Sequence, residues 1–187
     1  DCLGEGGCKL VPDWCLKGLR NICNKKKILL IIDSVQSGAG RSGKFFAFEY
    51  ARIKPDIAII AKGLGSGFPI GAVLLNKKTA SGMTPGSHGS TFGGNPLAAA
   101  SANAVLDVVL ANGFLEHVTK MSERLWSGLG GLVNKFPDQL MEIRGKGLLL
   151  GLKCSGVGDE AGNLVAEANN LGLLSVPAGD NVLRILP

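Results

Sequence analysis

At 187 residues with 45% apolar and 19% charged side chains, the chain has the make-up of a packed globular protein, not of a disordered tail, and its apolar runs are too short to span a bilayer as a helix. The net charge of +5 is scattered apart from Lys25-Lys26-Lys27, and aromatics make up only 5%, a poor composition for gripping nucleic acid. Five cysteines, Cys2, Cys8, Cys15, Cys23 and Cys154, are odd in number and form no C-x-x-C pair. No metal or disulfide framework is expected, and the setting is read as reducing and cytoplasmic.

In chain order, Pro12 to Asn24 predicts a helix, with Pro12 and Asp13 suited to its first turn and Leu16, Leu19, Ile22 and Cys23 on one face. Ile28 to Ile32 is a continuous apolar run ending at Asp33, and Ile57 to Ile60 is a second, ending just before Lys62. A third, Ala72 to Leu75, follows a Gly-rich turn. Strands without alternation predict a sheet buried on both faces, hence an α/β architecture. A polar loop runs from Ser81 to Asn95, and helices are expected from Pro96 to Leu110 and from Phe114 to about Asn134. Met141 to Lys153 reads as two short strands around Gly145-Lys-Gly147, Ala161 to Leu171 as a helix, and short strands are placed near Leu173 and Leu183. This change of character puts a domain boundary near Asp107, dividing residues 1–107 from 108–187. The chain starts at Asp1 with no basic leader before an apolar core, and it stops just after the strand-like run 182–186, so both ends read as cut.

Ligands of mostly parallel sheets sit beyond the carboxyl ends of the strands. Asp33 ends one apolar strand and Lys62 follows another, so a carboxylate and an amine are expected to face one crevice. Each alone reads as a turn cap or a solvated lysine. Glycines at 63, 65, 67 and 71 around Lys62, however, suit a loop that passes close to a bound group, a setting a surface lysine does not need. A carboxylate and an amine so placed suit a cofactor with a ring nitrogen and an aldehyde. Residues 38–43 also fit G-x-G-x-x-G, the pattern of a dinucleotide-binding turn. Four residues separate the strand end from Gly38, Lys44-Phe-Phe-Ala-Phe48 follows instead of a packed helix, and no acidic residue ends a second strand at the required distance. That pattern is read as a decoy.

The run Ile32-Asp-Ser-Val-Gln-Ser-Gly-Ala-Gly-Arg-Ser-Gly43 resembles the D-E-V-Q-T-G-x-G-R-T-G motif of class III aminotransferases, and Ala61-Lys-Gly-Leu-Gly-Ser-Gly-Phe-Pro69 resembles that family's lysine motif. Gly4-Glu-Gly-Gly7, His88 to Pro96, Arg144-Gly-Lys-Gly147 and Val182 to Pro187 match further motifs in the family's order, so the resemblance covers essentially the whole chain. It implies a fold-type-I pyridoxal 5'-phosphate transferase: the later part of a large, mostly parallel-sheet domain, followed by a small C-terminal α/β domain. Lys62 would hold the cofactor through its amine and, once released by substrate, shuttle a proton. Asp33 would pair with the pyridine nitrogen, Val35 pack on the ring, and Gln36 bond its phenolic oxygen. Thr91, with Ser90, would reach the cofactor phosphate across a homodimer interface. Arg184 resembles the arginine that grips the substrate α-carboxylate, and Glu5 the glutamate that pairs with it and moves aside. Without the family, Val35 would be read as core, Ser90 and Thr91 as caps before Pro96, and Arg41 and Arg144 as structural.

The likeness is greatest to members that move an amino group from N-acetylornithine to 2-oxoglutarate in arginine biosynthesis, so small amino-acid and 2-oxo-acid substrates are implied. Relatives acting on ornithine, succinylornithine or 4-aminobutyrate, and aminomutases, share nearly all these motifs. A whole member carries an N-terminal half that supplies a Gly-rich phosphate loop, a ring that stacks on the cofactor and an arginine for the distal carboxylate. One departure stands out: the family usually has glutamate after the aspartate, and this chain has Ser34. Adjacent strand side chains point to opposite faces, so Ser34 is expected to face away from the ring. A noncatalytic interaction module is the competing class, opposed by the joint retention of Lys62, Asp33, Gln36, Thr91 and Arg184.

Overall fold

The computed structural model describes residues 2–187 and opens on a short antiparallel hairpin, β1 (Cys2–Leu3) and β2 (Lys9–Leu10). Helix α1 (Asp13–Lys26) starts behind Pro12, which has no backbone donor to lose, and buries Leu16 and Cys23. It ends with Lys27 in the left-handed conformation, where the Lys27 and Ile28 N–H groups return to Asn24 and Cys23 carbonyls. Strands β3 (Ile31–Asp33), β4 (Ile57–Ile60) and β5 (Ala72–Leu75) form a mixed sheet in that order, β3 and β4 parallel, β4 and β5 antiparallel. A single helical turn, α2 (Lys77–Ala80), leads to the loop before α3 (Pro96–Val109) and α4 (Phe114–Lys135). The rest is β6 (Leu140–Lys146), β7 (Leu149–Cys154), α5 (Glu160–Asn170), β8 (Val176–Ala178) and β9 (Val182–Ile185), with an antiparallel sheet ordered β6-β7-β9-β8.

The elements divide into two units, residues 12–115 and residues 2–11 with 116–187. The boundary placed near Asp107 falls inside α3. The division lies after Leu115 because the space above Gly40 is filled by Leu115 and Val109, each 3.1 Å from where a Cβ would stand. Residues 2–11 go with the second unit, where the Gly179 N–H donates to the Glu5 carbonyl at 2.8 Å.

In the first unit Ile60, Leu64 and Ala102 form a core flanked by Ala39, Phe45, Phe46 and Ile70. In the second, Leu150, Cys154 and Ala161 are almost wholly enclosed, each large apolar side chain so buried contributing about 1.5–3 kcal/mol. Two sequence expectations need correction. The run from Ile28 is a strand only from Ile31, and within this chain Ile28, Leu29 and Ile31 are more than half exposed while Ile32 is buried. Leu173 lies outside any strand; β8 begins at Val176 instead. Among the described residues no single helix is long and apolar enough to cross a membrane.

Candidate active site

Parallel pairing sets Asp33 opposite Ile59, and the Ser34 N–H extends the ladder to the Ile59 carbonyl at 2.8 Å. The carboxyl ends of β3 and β4 therefore lie side by side. Asp33 closes the first, and Lys62 stands two residues beyond the second. The loops that follow also meet: a Cβ at Gly63, next to Lys62, would stand 3.3 Å from the Ala39 Cβ. The carboxylate and the amine thus share one end of one sheet, as their placement in the sequence predicts.

The Asp33 side chain is exposed, and its Oδ1 accepts the Val35 N–H at 2.8 Å, which orients the carboxylate with its second oxygen available. Ser34 is fully buried, so the two neighbours do point to opposite sides. Its Oγ has no partner among the described residues. Val35 and Gln36 are half-buried in the same loop. Lys62 is exposed and begins a short 3-10 turn, Lys62–Leu64, with φ at +44°. A lysine rarely adopts that left-handed conformation, and strain of about 1–3 kcal/mol at such a residue is characteristic of functional positions. The loop is held from beneath by Leu64 in the core and from α3 by Ser101, whose Oγ donates to the Gly65 carbonyl at 3.0 Å. Gly65 itself has no room for a side chain, since a Cβ would stand 2.0 Å from the Phe68 carbonyl oxygen. The sequence reading missed Ser101, which has no signal beyond a polar residue in an Ala-rich helix.

The G-x-G-x-x-G run at 38–43 forms successive tight turns and leads to a 3-10 turn at Ala47–Glu49. No helix opens there to receive a pyrophosphate. Ser90 and Thr91 are exposed on the loop before α3. They do not cap that helix: Asn95 does, its Oδ1 accepting the Ala98 N–H at 3.0 Å. Ser90 instead accepts the Gly93 N–H at 3.0 Å.

In the second unit the two residues farthest apart in sequence come together. Arg184 on β9 is buried, and its Nη1 donates to Glu5 Oε1 at 2.7 Å. The Glu5 side chain is 71% exposed and that of Arg184 8%. A buried guanidinium paired with an exposed carboxylate is suited to exchange one carboxylate for another. Cys8, close by, is buried, and burial pushes its thiol up, so it is a packing residue and not a nucleophile.

The donor set fits pyridoxal phosphate at two of its ends: an acceptor for a protonated ring nitrogen at Asp33 and an amine for its aldehyde at Lys62. The aminotransferase class-III family description matches residues 2–187. The chain is 52% identical over 184 residues to acetylornithine aminotransferase of Mesorhizobium japonicum, covering 98% of this chain and 45% of that protein. It superposes on the crystal structure of acetylornithine aminotransferase from Elizabethkingia anophelis with a TM-score of 0.92 and 38% identity, over 100% of this chain and 47% of that one. Ornithine aminotransferase from Toxoplasma gondii gives a TM-score of 0.92 at 32% identity, over 100% and 44%. The chain thus spans about half the length of these relatives, all within the fold-type-I α/β transferases, which use pyridoxal phosphate. With nearly its whole length so matched, the chain belongs to the class-III aminotransferase family.

Proposed function

We propose that the protein carrying this chain is a pyridoxal-phosphate aminotransferase that moves an amino group from N-acetylornithine to 2-oxoglutarate, as a cytoplasmic homodimer in arginine biosynthesis. The observation that carries the reading is the placement of Asp33 and Lys62 at one sheet end, with Lys62 held in a strained, glycine-flanked turn. Identity of 52% to a protein named acetylornithine aminotransferase supports the choice of amino donor.

When bound, pyridoxal phosphate supplies an electron-accepting ring that stabilises negative charge at the carbon bearing the transferred amine, Cδ of N-acetylornithine and Cα of glutamate. Lys62 Nζ would hold the cofactor at rest and afterwards carry the proton removed from the carbon that bears the transferred amine. Asp33 would keep the ring nitrogen protonated through a charge-assisted hydrogen bond, Val35 would pack on the ring, and Gln36 would donate to the phenolic oxygen. Ser90 and Thr91, free of the α3 cap and exposed, are available to donate to the phosphate of the other subunit. Arg184 would take the α-carboxylate of 2-oxoglutarate or glutamate in its planar fork as Glu5 swings out, whereas with N-acetylornithine, whose reacting Cδ bears no carboxylate, Glu5 would stay paired to Arg184.

Glutamate formation by the full-length protein, measured with each amino donor in turn, tests this. Turnover of N-acetylornithine at least about tenfold above ornithine, succinylornithine and 4-aminobutyrate in kcat/KM is the expected result. Ready turnover of 4-aminobutyrate with none of N-acetylornithine would sink the substrate assignment and leave the reaction class standing.

A further inference from the structure

The Glu5–Arg184 pair raises a physical question. Glu5 sits in a loop between two two-residue strands, yet its carboxylate must return to one guanidinium each time substrate leaves. Something has to hold its main chain. The hydrogen bond that does so runs from the Gly179 N–H to the Glu5 carbonyl at 2.8 Å. Backbone meets backbone there: a Cβ at Gly7 (φ +96°) would stand 2.5 Å from the Gly179 carbonyl oxygen. The Glu5 loop therefore rests on the turn that joins β8 to β9, the strand of Arg184.

That turn is unusual in its own anchoring. Asp180 and Asn181 both adopt left-handed backbone, with φ of +62° and +53°, as Asp and Asn do in tight hairpin turns. Asp180 Oδ2 accepts from Arg144 Nη1 at 2.6 Å and pairs with Lys9 Nζ at 3.2 Å, and Oδ1 accepts from Lys153 Nζ at 3.1 Å. Lys9 comes from β2, Arg144 from β6 and Lys153 from β7. Three strands thus converge on one carboxylate. The Arg144 and Lys153 side chains are only 19% and 14% exposed, so removing that carboxylate would leave Lys153 without its carboxylate partner and Arg144 with Glu142 alone, 2.6 Å from its Nε. Lys153 Nζ also donates to the Asp180 carbonyl at 2.5 Å, fixing the main chain as well.

We propose that Asp180 is a positioning residue for substrate-carboxylate binding: held by Arg144, Lys153 and Lys9, it fixes the 179–181 turn, which in turn fixes the Glu5 main chain, so that only the Glu5 side chain moves when Arg184 exchanges partners. The inference rests on Arg184 being the carboxylate site proposed above. Asp180 touches no substrate. Its effect is to keep the loop opposite Arg184 in one place, and its loss blurs the site that the α-carboxylate of the 2-oxo acid must enter.

The test uses the full-length holoenzyme as wild type, Asp180→Asn, Asp180→Glu and, as a control for mere destabilisation in the other unit, Asp56→Ala. In Asp180→Asn, KM for 2-oxoglutarate should rise about five- to tenfold with kcat within about twofold, the pattern of lost binding without lost chemistry. Asp180→Glu should recover part of that rise, Asp56→Ala should leave KM alone, and hydrogen exchange of peptides over residues 3–10 should quicken in Asp180→Asn only. An unchanged KM for 2-oxoglutarate in an active Asp180→Asn enzyme would overturn the inference alone. So would kcat and kcat/KM falling together, or a KM rise of equal size in Asp56→Ala. A wild-type protein that forms glutamate from no donor would instead defeat the functional reading, and the inference with it.

Discussion

Asp56 in the first unit and Asp180 in the second are built alike. Asp56 accepts the Leu30 N–H and Arg20 Nη1 on one oxygen, at 2.8 and 2.7 Å, and the Asn76 side-chain amide on the other at 2.8 Å. It thereby ties α1 to the chain leading into β3 and to the end of β5. Asp180 ties β2, β6 and β7 to the β8–β9 turn. In both, hydrogen bonds hold the carboxyl below the usual aspartate range, led by the Leu30 N–H for Asp56 and by Arg144 for Asp180. What differs is the position of each relative to the chemistry. Asp56 precedes β4, at the end of the strand opposite to Lys62, whereas Asp180 adjoins the residue that holds Glu5 in place. The same electrostatic device serves stability in one place and geometry in the other, and only its neighbours distinguish the two.

Mutation can break that comparison. Asp56→Ala strands the Leu30 N–H and the Arg20 guanidinium, whose side chain is 13% exposed, and should cost about 2–3 kcal/mol in chemical denaturation. A KM shift as large as that of Asp180→Asn would erase the distinction between the two hubs.

A second, smaller effect sharpens it. The folded-state pKa of Asp180 is depressed, so its contribution to stability is fully present above the ordinary aspartate value of 3.8 and is lost as pH falls below it. The difference in thermal midpoint between wild type and Asp180→Asn should accordingly stay level above that pH and close beneath it. A gap that closes while the pH is still well above 3.8 would show that a different group carries the anchor.

Neither hub was legible in the sequence, and the reason is physical. Lys9, Arg144 and Lys153 lie far from Asp180 along the chain and meet only because β6 and β7 pair and residues 2–11 pack beside them. Local patterns read local structure well: the runs at 57–60 and 72–75 are strands over those same residues, and Pro96 starts α3. The Asp33 and Lys62 placement was legible for the same reason, because both are defined by the ends of apolar runs. Periodicity is silent, however, on which faces find a cover. Ile28 and Leu29 read as interior strand and are exposed coil. The cap of α3 shows a finer limit: Ser90, Thr91 and Asn95 are all good capping types, and only the turn closed by Ser90 with Gly93 leaves Asn95 at the helix start. Pairing of Glu5 with Arg184 was available only through family resemblance, since 179 positions separate them.

The central claim is that Lys62 is the attachment point for pyridoxal phosphate. Borohydride reduction of the full-length protein in the presence of pyridoxal phosphate, followed by peptide mass mapping, tests it most directly. The account predicts one pyridoxyl adduct, on Lys62, that disappears in Lys62→Ala. Label spread over surface lysines with none favoured at Lys62 would contradict it.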